Sequence, residues 1–243
     1  MRITVAHSPD SDDAFMFYGL ASGAVPTGDL EVEQVLADIE SLNRWAFEGR
    51  YEVTAVSFHA FAHLSDKYAL LPHGASMGDG YGPRVVVRED GPTSLEGVTV
   101  AIPGTLTSAW LALQMYAPGI AHVVMPFDEI QGAVADGRVQ AGLLIHEGQL
   151  TYRDDGLRLI VDLGVWWGRQ EAGLPLPLGG NVIHKRHAPE VRRTVADVLT
   201  ASIRFSLENR AAAVEHALQY ARDMGRDLAD RFVGMYVNDW TLD

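Results

Sequence analysis

The sequence predicts an α/β protein of two lobes, each built on a parallel sheet with helices on both faces. Three observations predict it. Short β-branched runs alternate with helical patterns along the whole chain, a second such series restarts after Glu89-Asp90-Gly91-Pro92, and the proline-punctuated run Leu174–Gly180 returns the chain to the first series. Crossings near 89–97 and 174–181 then give one lobe from 1–90 with 181–243, a second from 91–180, and a central cleft between them.

In chain order, Ile3–Ala6 reads as a strand, and Asp12–Ser22 as a helix with Phe15, Met16 and Leu20 on one side. Leu30–Val35 is a second strand. Asp38-Ile39-Glu40-Ser41-Leu42 opens a helix with an acidic first turn, and Gly49 closes it. Val53–Val56 is a short buried strand, with Ser57 placed to cap the segment Phe58–Leu64. The glycine-rich stretch HGASMGDGYG, ending at Gly82, lacks the lysine and hydroxyl residue of a phosphate loop and reads as a mobile loop. Arg84–Arg88, Val98–Ile102, His122–Met125, Gln140–Ile145, Leu157–Val161 and Val182–Lys185 supply further strands. Helices are expected at Thr105–Tyr116, Phe127–Asp136, near Trp166–Ala172, and from about Pro189 onward.

The 243 residues suffice for a large core, with 47% hydrophobic and 21% charged residues. The formal net charge of −13 argues against nucleic acid and anionic membranes as partners, while leaving a small acidic ligand open. The absence of cysteine removes disulfides, thiolate nucleophiles and cysteine-held metal clusters. The chain enters a strand directly from Met1 with no leader-like run, which favours a cytoplasmic protein.

Ligands of open α/β sheets sit at the carboxyl ends of strands, so the strand-to-helix turns are the places to search. At Pro103-Gly104-Thr105-Leu106-Thr107-Ser108, hydroxyl residues follow a glycine turn at a helix start. That suits either anion binding or plain capping. At Ser8-Pro9-Asp10-Ser11-Asp12-Asp13, Ser8 is a candidate donor, and the carboxylates read first as compensation of the helix dipole. His59 and His63 share a helical face but lack a third ligand, so no metal is expected. His146, in Leu144-Ile145-His146-Glu147, ends an apolar strand, and histidine is the side-chain type most often used as a general base. Trp45, Trp110, Trp166 and Trp167 read chiefly as packing residues.

Several stretches together resemble the 1,4-dihydroxy-6-naphthoate synthase family of the futalosine route to menaquinone, over essentially the whole chain. They are Glu40–Ala46 with Glu48-Gly49-Arg50, Ala101-Ile102-Pro103-Gly104 with Thr107, Leu144–Glu147, Val161–Gly164 with Trp166-Trp167, and Gly173–Gly179. The resemblance implies a type II periplasmic-binding-protein-like fold. It also implies a lyase that cleaves cyclic dehypoxanthine futalosine to 1,4-dihydroxy-6-naphthoate and a three-carbon sugar fragment, without metal or redox cofactor. By the same resemblance His146 is the base, and Ala55-Val56-Ser57, Thr107 and Ser108 bind a small carboxylate substrate. Asn43 and Ser8 match cleft-facing positions. The chain is then expected to be a monomer or homodimer. Where the family usually carries SPCPND, this chain has Asp10 and Asp12, which place formal negative charge near an anionic substrate. A solute-binding protein for a small carboxylate and a chorismate dehydratase-like paralogue are the alternatives.

Overall fold

The computed structural model describes residues 1–221 and 224–242, and the chain divides into two compact units, Met1–Met77 with Gly179–Asp243 and Gly78–Leu178. The first unit begins with β1 (Arg2–His7), whose Ile3 and Val5 enter a core shared with Phe15, Met16 and Phe17. The single helix expected over 12–22 is instead two, α1 (Ser11–Met16) and α2 (Tyr18–Ala21). Between them Phe17 leaves helical geometry at φ −94° and ψ 7°, and its buried ring stacks on the His7 imidazole at 4.4 Å. Burial of that ring outweighs the local helical pattern.

β2 (Glu31–Leu36) runs parallel to β1, and α3 (Ile39–Glu48) follows with both ends as expected. The Asp38 carboxylate accepts the Ser41 N–H at 3.0 Å, and Gly49 adopts the left-handed conformation that ends the helix. β3 (Val53–Ser57) is buried along its length, and α4 (Phe58–Phe61) is one short turn. β4 (Tyr68–Leu70) and β5 (Ser76–Gly78) come next. The glycine-rich stretch thus contains a strand rather than only a loop. Gly74 serves close packing there: a Cβ on it would lie 2.3 Å from the Asn181 amide nitrogen.

The second unit holds β6 (Arg84–Arg88), β7 (Thr99–Ile102), α5 (Ser108–Tyr116), β8 (Ala121–Val124), α6 (Phe127–Ala135), β9 (Ala141–Leu144), α7 (Gly148–Thr151), β10 (Leu157–Asp162) and α8 (Leu163–Gln170). Its sheet runs β10-β6-β9-β7-β8. β7 is parallel to β8 and β9, whereas β6 is antiparallel to β9 and β10. Because β6 bonds to both of those strands, residues 78–90 belong to this unit, and the first division falls between Met77 and Gly78 rather than near 89–97. Gly142 admits α6 against the sheet, since a Cβ there would meet Ile130 at 2.5 Å.

The expected stiff connector is itself the start of a strand, β11 (Leu176–His184). Leu176 and Leu178 pack into the second unit's core before the chain returns. In the first unit β11 lies antiparallel between β3 and β4, giving the order β2-β1-β3-β11-β4 with β5 beside β11. Both sheets are therefore mixed rather than wholly parallel. The antiparallel members are the strands next to the divisions, where no helical crossover is available to reverse the chain.

The remainder is helical but interrupted: α9 (Pro189–Glu208), α10 (Arg210–Ala217), a 3₁₀ turn at Leu218–Tyr220, α11 (Arg226–Tyr236) and α12 (Asp239–Leu242). Val195, Leu199 and Ile203 of α9 recur at helical spacing and close the first core. Among the described residues no helix is long and apolar enough to cross a membrane.

Candidate functional site

The predicted residues divide between the units, with Ser8, Asn43, Ala55, Val56 and Ser57 in the first and Thr107, Ser108 and His146 in the second. Ser8 and Ser57 stand at the ends of β1 and β3, Asn43 lies on α3, and Thr107, Ser108 and His146 follow β7 and β9.

In the first unit Ser8 directly follows β1 and is buried. Its backbone N–H donates to the Asp13 carboxyl at 2.7 Å, and its hydroxyl donates to Asp10. The acidic run is thus folded inward, with Asp10, Asp12 and Asp13 all buried. Burial, reinforced by the neighbouring Asp13 and Asp10 carboxylates, pushes the Asp12 carboxyl well above the ordinary carboxylate range. Burial likewise pushes Asp13 up to about 7, against the opposing bond from the Ser8 N–H. Burial and the two neighbouring carboxylates thus both oppose ionisation of Asp12. The His7 imidazole completes the turn, with Nδ1 2.9 Å from the Ser8 carbonyl and Nε2 3.1 Å from the Gln34 side-chain oxygen. Burial lowers its pKa.

Asn43 and Ser57 form one unit of structure across α3 and β3. The Asn43 carbonyl accepts the Ser57 N–H at 2.8 Å, and its amide donates to the Ser57 hydroxyl at 3.0 Å. Ser57 does not cap α4 through its side chain as expected, because Asn43 already binds its hydroxyl oxygen. Ala55 and Val56 lie buried just upstream on the same strand, paired with Asn181 and Gly180 of β11. His59 and His63 do not share one helix, since α4 ends at Phe61, although their ring centroids lie 5.9 Å apart. Among the described residues no group of three histidines or carboxylates is arranged to hold a metal ion.

In the second unit Thr107 is the N-cap of α5. Its hydroxyl accepts the Trp110 N–H at 3.1 Å and donates to the Gly104 carbonyl at 2.9 Å. The Ser108 hydroxyl donates to the Leu178 carbonyl at 2.6 Å. Thr107 thus caps the helix, and Ser108 ties its first turn to the start of β11. The helix end itself retains its positive dipole.

His146 follows β9 by two residues and is half-buried. It is one of two non-glycine residues with positive φ among those described, at +55°. A side chain in that region costs on the order of 1–3 kcal/mol, and such strain persists only where surrounding structure over-determines it. The Phe127 ring at the start of α6 meets the imidazole edge-on, with centroids 4.8 Å apart at 66°. The main chain closes behind it as the Gln149 N–H donates to the His146 carbonyl at 3.1 Å.

Sequence reasoning missed three residues that shape these turns. His7 and Asp13 bracket Ser8, and the readable signal was a histidine ending β1 with a carboxylate five residues after Ser8. Arg84 was read only as part of a strand. In the structure it joins Asp162 at 2.9 Å and also donates to the Gln149 carbonyl. An arginine opening the otherwise apolar run Val85-Val86-Val87 was the available signal. The Trp166-Trp167 pair is packed, with Trp166 edge-on to Tyr116 at 5.6 Å and both rings against the second core.

A Thermus thermophilus protein named 1,4-dihydroxy-6-naphtoate synthase is 38% identical over 242 residues, covering 99% of this chain and 88% of its own length. A Streptomyces coelicolor protein of the same name is 37% identical over 247 residues, covering 99% and 86%. A crystal structure of an Archaeoglobus fulgidus protein superposes with a TM-score of 0.95 at 50% identity, covering all of this chain and 90% of that one. A more distant structure is the alkanesulfonate-binding protein of Xanthomonas axonopodis pv. citri. Its TM-score is 0.67 at 14% identity over 97% and 84% of the chains, and it shows a shared periplasmic-binding-protein-like fold alone. The model of a family described as menaquinone biosynthesis matches residues 3–243, and with it the chain belongs to that family.

Proposed function

We propose that the chain is a carbon–carbon lyase that converts cyclic dehypoxanthine futalosine to 1,4-dihydroxy-6-naphthoate, with His146 as general base. The observation that carries this reading is His146 itself. It is an imidazole held in left-handed backbone at a strand exit, in a chain 38% identical to a protein named as that synthase. Strained backbone at a strand end is where fixed catalytic groups concentrate.

The substrate carries an aromatic carboxylate, which suits the positive N-terminal end of α5 at Thr107–Ser108. The Ser57 hydroxyl has its oxygen engaged by Asn43, so its hydrogen remains the group to offer to a ligand. Ser8 is held in one orientation by Asp10 and Asp13. His146 removes a proton from the bound substrate, and the carbon–carbon bond breaks with its electron pair passing to the ring that becomes the aromatic diol. The three-carbon fragment leaves as a carbonyl compound, and aromatisation supplies the driving force. A positioned base contributes roughly 10²–10⁴-fold.

The test is incubation of the purified chain with cyclic dehypoxanthine futalosine, following release of the naphthoate by its absorbance. His146→Ala is expected to lose roughly 10²–10⁴-fold in kcat. Unchanged turnover in that variant, or no product from the unaltered chain, would sink the proposal. Turnover of chorismate in its place would move the assignment to the dehydratase.

A further inference from the structure

We propose that Arg84 is the positioning residue for His146, strapping the turn that carries the imidazole to the end of β10. The inference rests on the reading of His146 as the base. Arg84 opens β6, where it lies opposite Leu144 of β9 on one side and opposite Asp162 of β10 on the other. Leu144 stands two residues before His146.

The guanidinium then reaches past the strand end. Nε donates to Asp162 Oδ2 at 2.9 Å, and a terminal nitrogen donates to the carbonyl of Gln149, three residues after His146. One residue thus holds both limbs of the turn, the entering strand through its backbone and the leaving helix through its side chain. The anchor is fixed in its turn, because Asp162 Oδ1 accepts the N–H groups of Gly164 at 3.0 Å and Val165 at 3.1 Å. The side chains are only 20% and 7% exposed, so this pair lacks the screening that makes surface ion pairs weak.

The turn has need of such a strap. α7 is four residues long, too short to hold its own geometry. His146 holds a φ of +55° that a freed chain would relax. Phe127 restrains the ring from α6, while Arg84 restrains the backbone beneath it. Arginine suits the task because its planar fork directs two bonds at fixed angles, which lysine cannot reproduce.

The experiment compares Arg84→Met, Arg84→Lys and His146→Ala in the full chain, with cyclic dehypoxanthine futalosine as substrate. Arg84→Met is expected to lower kcat roughly 10–100-fold with KM within about 3-fold, since small misplacement of a catalytic group costs about that much. Arg84→Lys should fall between it and the unaltered chain. A second readout is independent of turnover. The His146 ring resonance, assigned by its loss in His146→Ala, should shift or broaden in Arg84→Met while those of His59 and His63 stay in place. Should Arg84→Met not fold, Arg84→Lys and Asp162→Asn carry the same kcat-against-KM comparison.

Wild-type kcat in the Arg84 variants with an inactive His146→Ala overturns the strap alone, as does an unmoved His146 resonance. Full turnover in His146→Ala overturns the base reading, and the strap with it.

Discussion

Replacing Asp13 by asparagine should stabilise the protein above neutral pH and leave it unchanged in acid. In the folded state burial raises the Asp13 carboxyl from 3.8 to about 7. The folded chain therefore holds a proton there that the unfolded chain has already released. When the folded state binds more protons, stability falls as pH rises, so this contribution is present below about pH 4 and lost as pH climbs through about 7. The slope is about 1.4 kcal/mol per pH unit across the window, and the whole difference amounts to roughly 4 kcal/mol. Asparagine imitates the neutral acid, and its carbonyl can still accept the Ser8 N–H that now reaches Asp13 at 2.7 Å. Urea unfolding at several pH values between about 4 and 8, with unchanged m, measures the effect. Coupling to Asp12, whose carboxyl is also raised, leaves a residual slope in the variant that Asp12→Asn should further flatten. A stability difference between the unaltered chain and Asp13→Asn that does not vary with pH would refute the reasoning.

Two further outcomes follow from the packing. Asn43→Ala leaves the fully buried Ser57 N–H without its acceptor, and should cost roughly 1–3 kcal/mol in denaturant unfolding, with a raised KM if Ser57 meets the substrate. Gly164→Ala places a Cβ 1.9 Å from the Tyr81 carbonyl oxygen, a backbone atom that cannot step aside. It should cost about 3 kcal/mol or more and appear as a large fall in Tm, whereas Gly168→Ala, with open space around it, should not.

How much the sequence disclosed depends on whether the deciding interaction is local. α3 was legible to within a residue, because Asp38 and Gly49 act on backbone groups a few residues away. The helix break at Phe17 was not, since it turns on burial and on a ring contact with His7 ten residues earlier. Pro175 and Pro177 read as a connector, yet their segment begins β11, as proline tolerates extended backbone wherever no ladder donor is required. β6 sits in the second sheet by bonding to β9 and β10, both more than fifty residues downstream, and nothing near Arg84 announces it. At the candidate site the motif around His146 marked the residue. Its positive φ and its link to Arg84 are tertiary facts, and so is the burial that raises the Asp12 carboxyl, which is invisible in a string of letters.

The hydroxyls at the start of α5 show what a turn's side chains can and cannot reveal. Thr107 and Ser108 direct their hydrogens at Gly104 and Leu178, so the letters at these positions encode how the turn keeps its shape. The positive dipole of the helix end comes from its backbone and does not depend on which hydroxyl stands there. A serine at position 107 makes the same two bonds, so that exchange would change the spelling without changing the message.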